Sequence, residues 1–221
     1  MTRFSRNAAL LLSLSLPFLA AHAGADPAVP SHDYWGVHGG QNDLDRLGVH
    51  ARYASSTRYD GHVDLQHGAH VGVQLGRSSA QARYEVEFET GDFSARHLTA
   101  GPINADVHGR GHYQAAFANV YGTAHLSERL DAFAGIGAGW GHVEVPHLVL
   151  KNACTCFGKS TKDGGAWQAR VGLAWQVSPA SDVDLQYTRL GLPGAETDGP
   201  PAVQYNRLGF GAWTLGWRSR F

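Results

Sequence analysis

Nine charged residues in a regular spacing are the first candidates for chemistry. Arg83, Glu85, Glu87 and Glu89 share one parity in the stretch that begins at Gln81 and reads Gln-Ala-Arg-Tyr-Glu-Val-Glu-Phe-Glu. Arg170, Asp182, Asp184, Arg218 and Arg220 hold the same kind of position in three later segments. Arginines and carboxylates facing one space can pair, line an ion path or exchange protons with a substrate. Pairing is the expectation, because an uncompensated buried charge is costly. The 13 histidines form a second group. His50, His62, His97, His108, His112, His142 and His147 fall in or near the long connections of the chain. His142, His147, Cys154 and Cys156 share one such connection, and imidazole with thiolate is zinc chemistry. Their spacing matches no standard zinc motif, so no metal is expected. The pair Cys154 and Cys156 cannot staple distant parts of a fold, and a local loop disulfide is its expected state. Catalysis by a nucleophile needs a base beside it. Ser and His are abundant, but no Ser/His/Glu set falls on adjacent outward positions, so neither an enzyme nor a cofactor is expected.

The elements that would hold these residues are strands. From Gln81, Ala82, Tyr84, Val86 and Phe88 point one way and the charged residues the other, a period of two. The same alternation recurs in 64–76, where Val71, Val73 and Leu75 oppose His70, Gly72 and Gln74. It recurs in 166–177, where Trp167, Val171, Leu173 and Trp175 oppose Gln168, Arg170 and Gly172. It recurs again in 182–188, and in a last strand where Trp213, Leu215, Trp217 and Phe221 oppose Thr214, Gly216, Arg218 and Arg220. Segments 33–40, 111–125 and 130–144 bring the number to eight, but are rich in Gly and Ala and do not declare their facing.

Connections alternate in length. Residues 76–80, 127–129 and 178–181 are short and carry turn residues. Residues 41–63, 92–110, 145–163 and 193–203 read as long polar loops. Short turns on one rim and long loops on the other describe a transmembrane barrel. A soluble sandwich would not place arginines, glutamates and glycines on the face opposite so many aromatics. The reading is therefore all-β, an eight-stranded antiparallel up-and-down transmembrane barrel over 33–221. An eight-stranded lumen is about as wide as the side chains that fill it.

Ahead of the barrel, Arg3 and Arg6 precede an apolar run from Ala8 to Ala20 and a small-x-small site at Ala21-His22-Ala23. That pattern is a cleaved secretory signal over 1–23. The run falls short of the roughly 20 residues a spanning helix needs. Residues 24–32 would be a short periplasmic segment. The formal net charge of −1 gives no polyanion-binding surface, and no nucleic acid is expected as a partner.

Several stretches together resemble the small outer-membrane β-barrel superfamily of porin-like surface proteins, which includes the OmpA transmembrane domain and the neisserial opacity proteins. They are Tyr34 to Gly40, Gly68 to Gly76 with Arg83 to Phe88, Ala118 to Tyr121, and Phe133 to Gly139. The terminal Phe221 resembles the family's assembly signal, with Ser219 a departure where an aromatic is usual. The resemblance implies a bacterial outer-membrane location. It also implies lipid, lipopolysaccharide and the barrel assembly machinery as partners. It does not imply one activity. A structural or adhesive surface protein is expected, with the four loops as contact surface for a host or matrix ligand. A narrow porin-like channel and a lipid-modifying barrel enzyme are the alternatives.

Overall fold

A strand shows its two faces to two surroundings, and alternation sorts the side chains between them. The computed structural model describes residues 31–221 apart from 45, 53–57, 80, 147, 151–154 and 198–201. The expected signal segment, residues 24–30 and Cys154 lie outside the described residues, as does the side chain of Cys156.

In chain order the strands are β1 (His32–Leu44), β2 (Leu47–Arg52), β3 (Arg58–Gln66), β4 (Gly68–Ser78), β5 (Ala82–Ala100), β6 (Ile103–Ser127) and β7 (Leu130–Val145). They continue with β8 (Leu148–Leu150), β9 (Thr155–Phe157), β10 (Ser160–Ser178), β11 (Ser181–Leu192), β12 (Glu196–Thr197), β13 (Ala202–Tyr205) and β14 (Leu208–Arg220). Eight of them, β1, β4, β5, β6, β7, β10, β11 and β14, pair antiparallel in that order. β14 closes the ring on β1, with Trp217 opposite Val37.

The outer face of the ring is apolar. Val71, Val73, Leu75, Tyr84, Val86, Val171, Leu173 and Leu215 all point outward and are exposed. So are five of the six tryptophans, and Trp217 faces outward half-buried against Trp35. A closed ring leaves no strand edge unpaired, which is what a hydrocarbon surrounding demands. Trp35, Trp175 and Trp217 lie toward the short-turn end, and Trp140, Trp167 and Trp213 farther along their strands, as aromatic girdles do. The Gly-rich segments resolve into the same scheme. In β7, Gly135 and Gly137 face inward, where an added Cβ would strike the Tyr121 ring and the Asn119 amide. Replacing Val86 with Arg in mid-belt is expected to cost about 2–4 kcal/mol, and Gln41→Arg near the far rim about 0–1. Urea unfolding in liposomes measures both, and equal losses would refute the depth assignment.

The long connections differ from their expected form. They are largely strand among the described residues, and their inward half is apolar. β3 pairs with the end of β5, β2 with β3, β13 with β2, β12 with β13, and β12 with β10. Together with β7 and β6 these pairings close a second circuit above the first. Its interior is a core of Leu47, Val49, Val63, Phe93, Leu98, Val143, Leu192, Val203 and Phe210, among others. Bulges hid this pattern, because an extra residue breaks the period of two. In β5 the inward residues are Phe93 and Ala95 before an irregularity at Ala95/His97, and Leu98 and Ala100 after it. β3 has a similar shift at Asp64/Leu65. The turn from β5 to β6 uses Gly101 at φ 58, a left-handed conformation that glycine adopts without strain.

Candidate functional site

The interior of the first circuit collects all nine charges singled out by their spacing. They form two groups. In the first, β5 supplies Arg83, Glu85, Glu87 and Glu89 from successive inward positions, and β10 supplies Arg170. The Arg170 Nη2 donates to Glu87 Oε1 at 2.8 Å and to Gln168 at 2.9 Å. Its Nη1 donates to the Tyr121 hydroxyl at 3.1 Å, and its Nε to Thr188 at 3.0 Å. Glu87 also accepts from Asn119 at 2.7 Å and from Gln168 at 2.9 Å. Glu85 accepts from the hydroxyls of Tyr34 at 2.7 Å and Tyr121 at 3.0 Å, and from Asn119 at 3.1 Å. Glu89 accepts from the Tyr113 hydroxyl at 2.7 Å. Glu87 is 1% exposed and Arg170 4%, so this layer is dry and its hydrogen bonds are charge-assisted.

The second group lies nearer the turn end. Arg220 Nη2 donates to both Asp182 oxygens, at 2.7 and 3.0 Å. Arg218 Nε stands 3.3 Å from Asp184, and its Nη2 3.9 Å from Asp182.

Spacing alone missed His38, Tyr34, Tyr113 and Tyr121 as members of these networks. His38 Nε2 sits 3.2 Å from Glu87 and 3.5 Å from Glu89. Parity along β1 from Tyr34 to Asn42 would have found it, had the facing of that Gly-rich strand been settled. The named arginines are Arg83, Arg170, Arg218 and Arg220, and the carboxylates are Glu85, Glu87, Glu89, Asp182 and Asp184. Carboxylates therefore exceed arginines by one, and an imidazolium at His38 would level the count. His38, Glu87 and Glu89 also lie close enough together to ligate a cation. However, Tyr113, Asn119, Gln168 and Arg170 already occupy much of the carboxylate oxygen there.

Above this layer the apolar core of the second circuit fills the barrel. Tyr113 joins the two, with its hydroxyl on Glu89 and its ring 5.3 Å from that of Phe210. Below it, a cavity of about 340 Å³ opens at the turn end, lined in part by Tyr34, Arg83, Phe133, Arg218 and Arg220.

Among the described residues, several histidines of the long connections sit on ladder faces beside carboxylates. Nδ1 of His50 lies 2.6 Å from Asp60, that of His97 2.9 Å from Asp106, and that of His142 2.8 Å from Asp163. Hydrogen bonds from His50 and Arg58 hold the Asp60 carboxyl below the usual carboxylate range. Asp106 and Asn104 raise His97 above the usual histidine value. His147 and Cys154 lie outside the described residues, so a convergence with His142 and Cys156 has no geometry. Trp213, Leu215 and Phe221 form an exposed outward stripe with Trp217, and the Phe221 N–H donates to the Asp33 carbonyl at 3.0 Å.

A scan of the chain against protein-family models matches none, and no curated protein is similar in sequence. Solved structures match in fold. The outer membrane protein OprG from Pseudomonas aeruginosa superposes with a TM-score of 0.68 at 9% identity, over 87% of this chain and 98% of its own. Neisserial surface protein A superposes with a TM-score of 0.52 at 11% identity, over 87% of this chain and 99% of its own. The ring of eight strands is thus the fold of the small bacterial outer-membrane barrels.

Proposed function

We propose that this protein is a closed outer-membrane barrel that displays a folded upper circuit at the cell surface, as a structural or adhesive contact surface. The observation that carries the reading is the filled interior. A dry ion-pair layer around Arg170 and Glu87 is capped by an apolar core, and eight strands leave little room beside them. The Glu87 carboxylate, engaged by Asn119, Gln168 and Arg170, gives a catalytic role no support. The outward faces of β2, β3, β5 and β6, with Arg46 just before β2, carry mixed charge in pairs such as Arg46–Asp64, Arg58–Asp60 and Arg110–Asp92. A mixed, rigid face of this kind suits a host, matrix or envelope protein better than a polyanion. Lipid and lipopolysaccharide would surround the belt. The stripe of Trp213, Leu215, Trp217 and Phe221 would be read by the barrel assembly machinery. The test is conductance of the refolded barrel in planar bilayers. Only small, salt-sensitive flickers are expected, and large stable steps would replace this reading with a channel.

A further inference from the structure

We propose that the cavity at the turn end of the barrel binds a small oxyanion, a carboxylate or a phosphate, between Arg83 and Arg218. The inference does not depend on what the upper circuit contacts.

Three observations carry it. The first is that these two guanidinium groups are buried and under-used. Arg83 is 4% exposed and Arg218 7%, both line the cavity, and the Nε of each has no hydrogen-bond partner. Arg83 stands 3.7 Å from Glu85, and Arg218 3.3 Å from Asp184. These are charge contacts without hydrogen-bond geometry. Arg170, one layer deeper, is equally buried but donates to Glu87, Gln168, Tyr121 and Thr188.

The second is that three of the nearby carboxylates, Glu85, Asp182 and Asp131, are already committed. Glu85 takes Tyr34, Tyr121 and Asn119, and Asp182 takes Arg220. At the mouth, Asp131 is 2.6 Å from His125. The third is that aromatic faces hold the guanidinium planes in place. The Arg83 Cζ lies 4.1 Å from the Tyr121 ring centre and 4.5 Å from that of Phe133. The Arg218 Cζ lies 5.7 Å from the Tyr34 ring centre and 6.0 Å from that of Phe133. Phe133 thus stands by both arginines.

A fixed guanidinium fork matches a carboxylate or phosphate edge, and a planar fork held by packing loses little entropy on binding. The volume of about 340 Å³ admits an ion of that size with water around it. The ion-pair layer closes the inner end, so the ligand enters from the turn side, which is the periplasmic side in this fold.

Titration calorimetry on the refolded full chain in detergent micelles tests this, with inorganic phosphate in one arm and acetate in the other. Saturable binding is expected in at least one arm, and the arm identifies the oxyanion. Arg83→Lys and Arg218→Lys keep the charge but lose the fork, and each should weaken binding by about tenfold or more. Arg58→Lys on the upper circuit should leave it unchanged. Heat-modifiable migration on gels establishes that each variant is folded. If the lysine variants do not fold, the urea midpoint of the wild-type protein decides instead. It should rise with the bound anion beyond the effect of chloride at equal ionic strength. No saturable binding in either arm, binding unchanged by both lysine variants, or no shift beyond chloride would overturn the proposal.

Discussion

Replacing Arg170 with methionine is expected to destabilise the barrel by about 3–5 kcal/mol, the cost of leaving a buried charge without its partner. Arg170 is the only cation that hydrogen-bonds Glu87 among the described residues, and it also orients Tyr121 and Gln168. Its removal strands Glu87 in a dry layer and frees the Tyr121 hydroxyl that serves Glu85. The second variant, Arg170→Met with Glu87→Gln, should recover much of the loss, because an ion pair replaced as a unit leaves no orphan charge. Urea unfolding in liposomes measures both. A single-variant loss of only about 0–1 kcal/mol, the size of an exposed pair, would mean that water reaches this layer.

The second large effect belongs to the upper circuit. Phe210→Ala is expected to cost about 3–5 kcal/mol, as aromatic deletions from packed cores do. Phe210 is fully buried and packs on the Tyr113 ring. The loss should concentrate above the membrane, since the lower ring keeps its ladder and its ion pairs. Limited proteolysis should therefore open 92–110 in the variant while the spanning strands stay protected. A variant as resistant as the parent would mean that the upper circuit does not depend on its core.

The lower ring was legible because lipid imposes the strictest alternation in the chain. Tyr84, Val86 and Phe88 against Arg83, Glu85 and Glu87 leave one reading, and the structure has it. The Gly-rich strands were not legible, for a packing reason. Gly135 and Gly137 face inward because Tyr121 and Asn119 fill the space before them, and a glycine does not declare a face. In the sequence the upper circuit reads as loops, because β5 changes parity near His97 and β3 shifts at Asp64/Leu65. The nine charges were legible as one inward set. Their uneven use, with Arg170 saturated and Arg83 not, depends on which tyrosines meet them across the barrel, and those distances are absent from any one strand.

The upper circuit has a consequence for how such a surface can change over generations. Its shape is set by the inward half of each strand, such as Val49, Ala51, Val63, Leu98 and Val203. The outward half, including Arg52, Arg58, Arg96 and Asp106, is held chiefly by the backbone ladder. A partner docking on this surface would read only the outward half. The lineage can therefore exchange every second residue and keep the same silhouette. Drift in this part of the protein should have a period of two, reversing phase where β5 reverses, near His97.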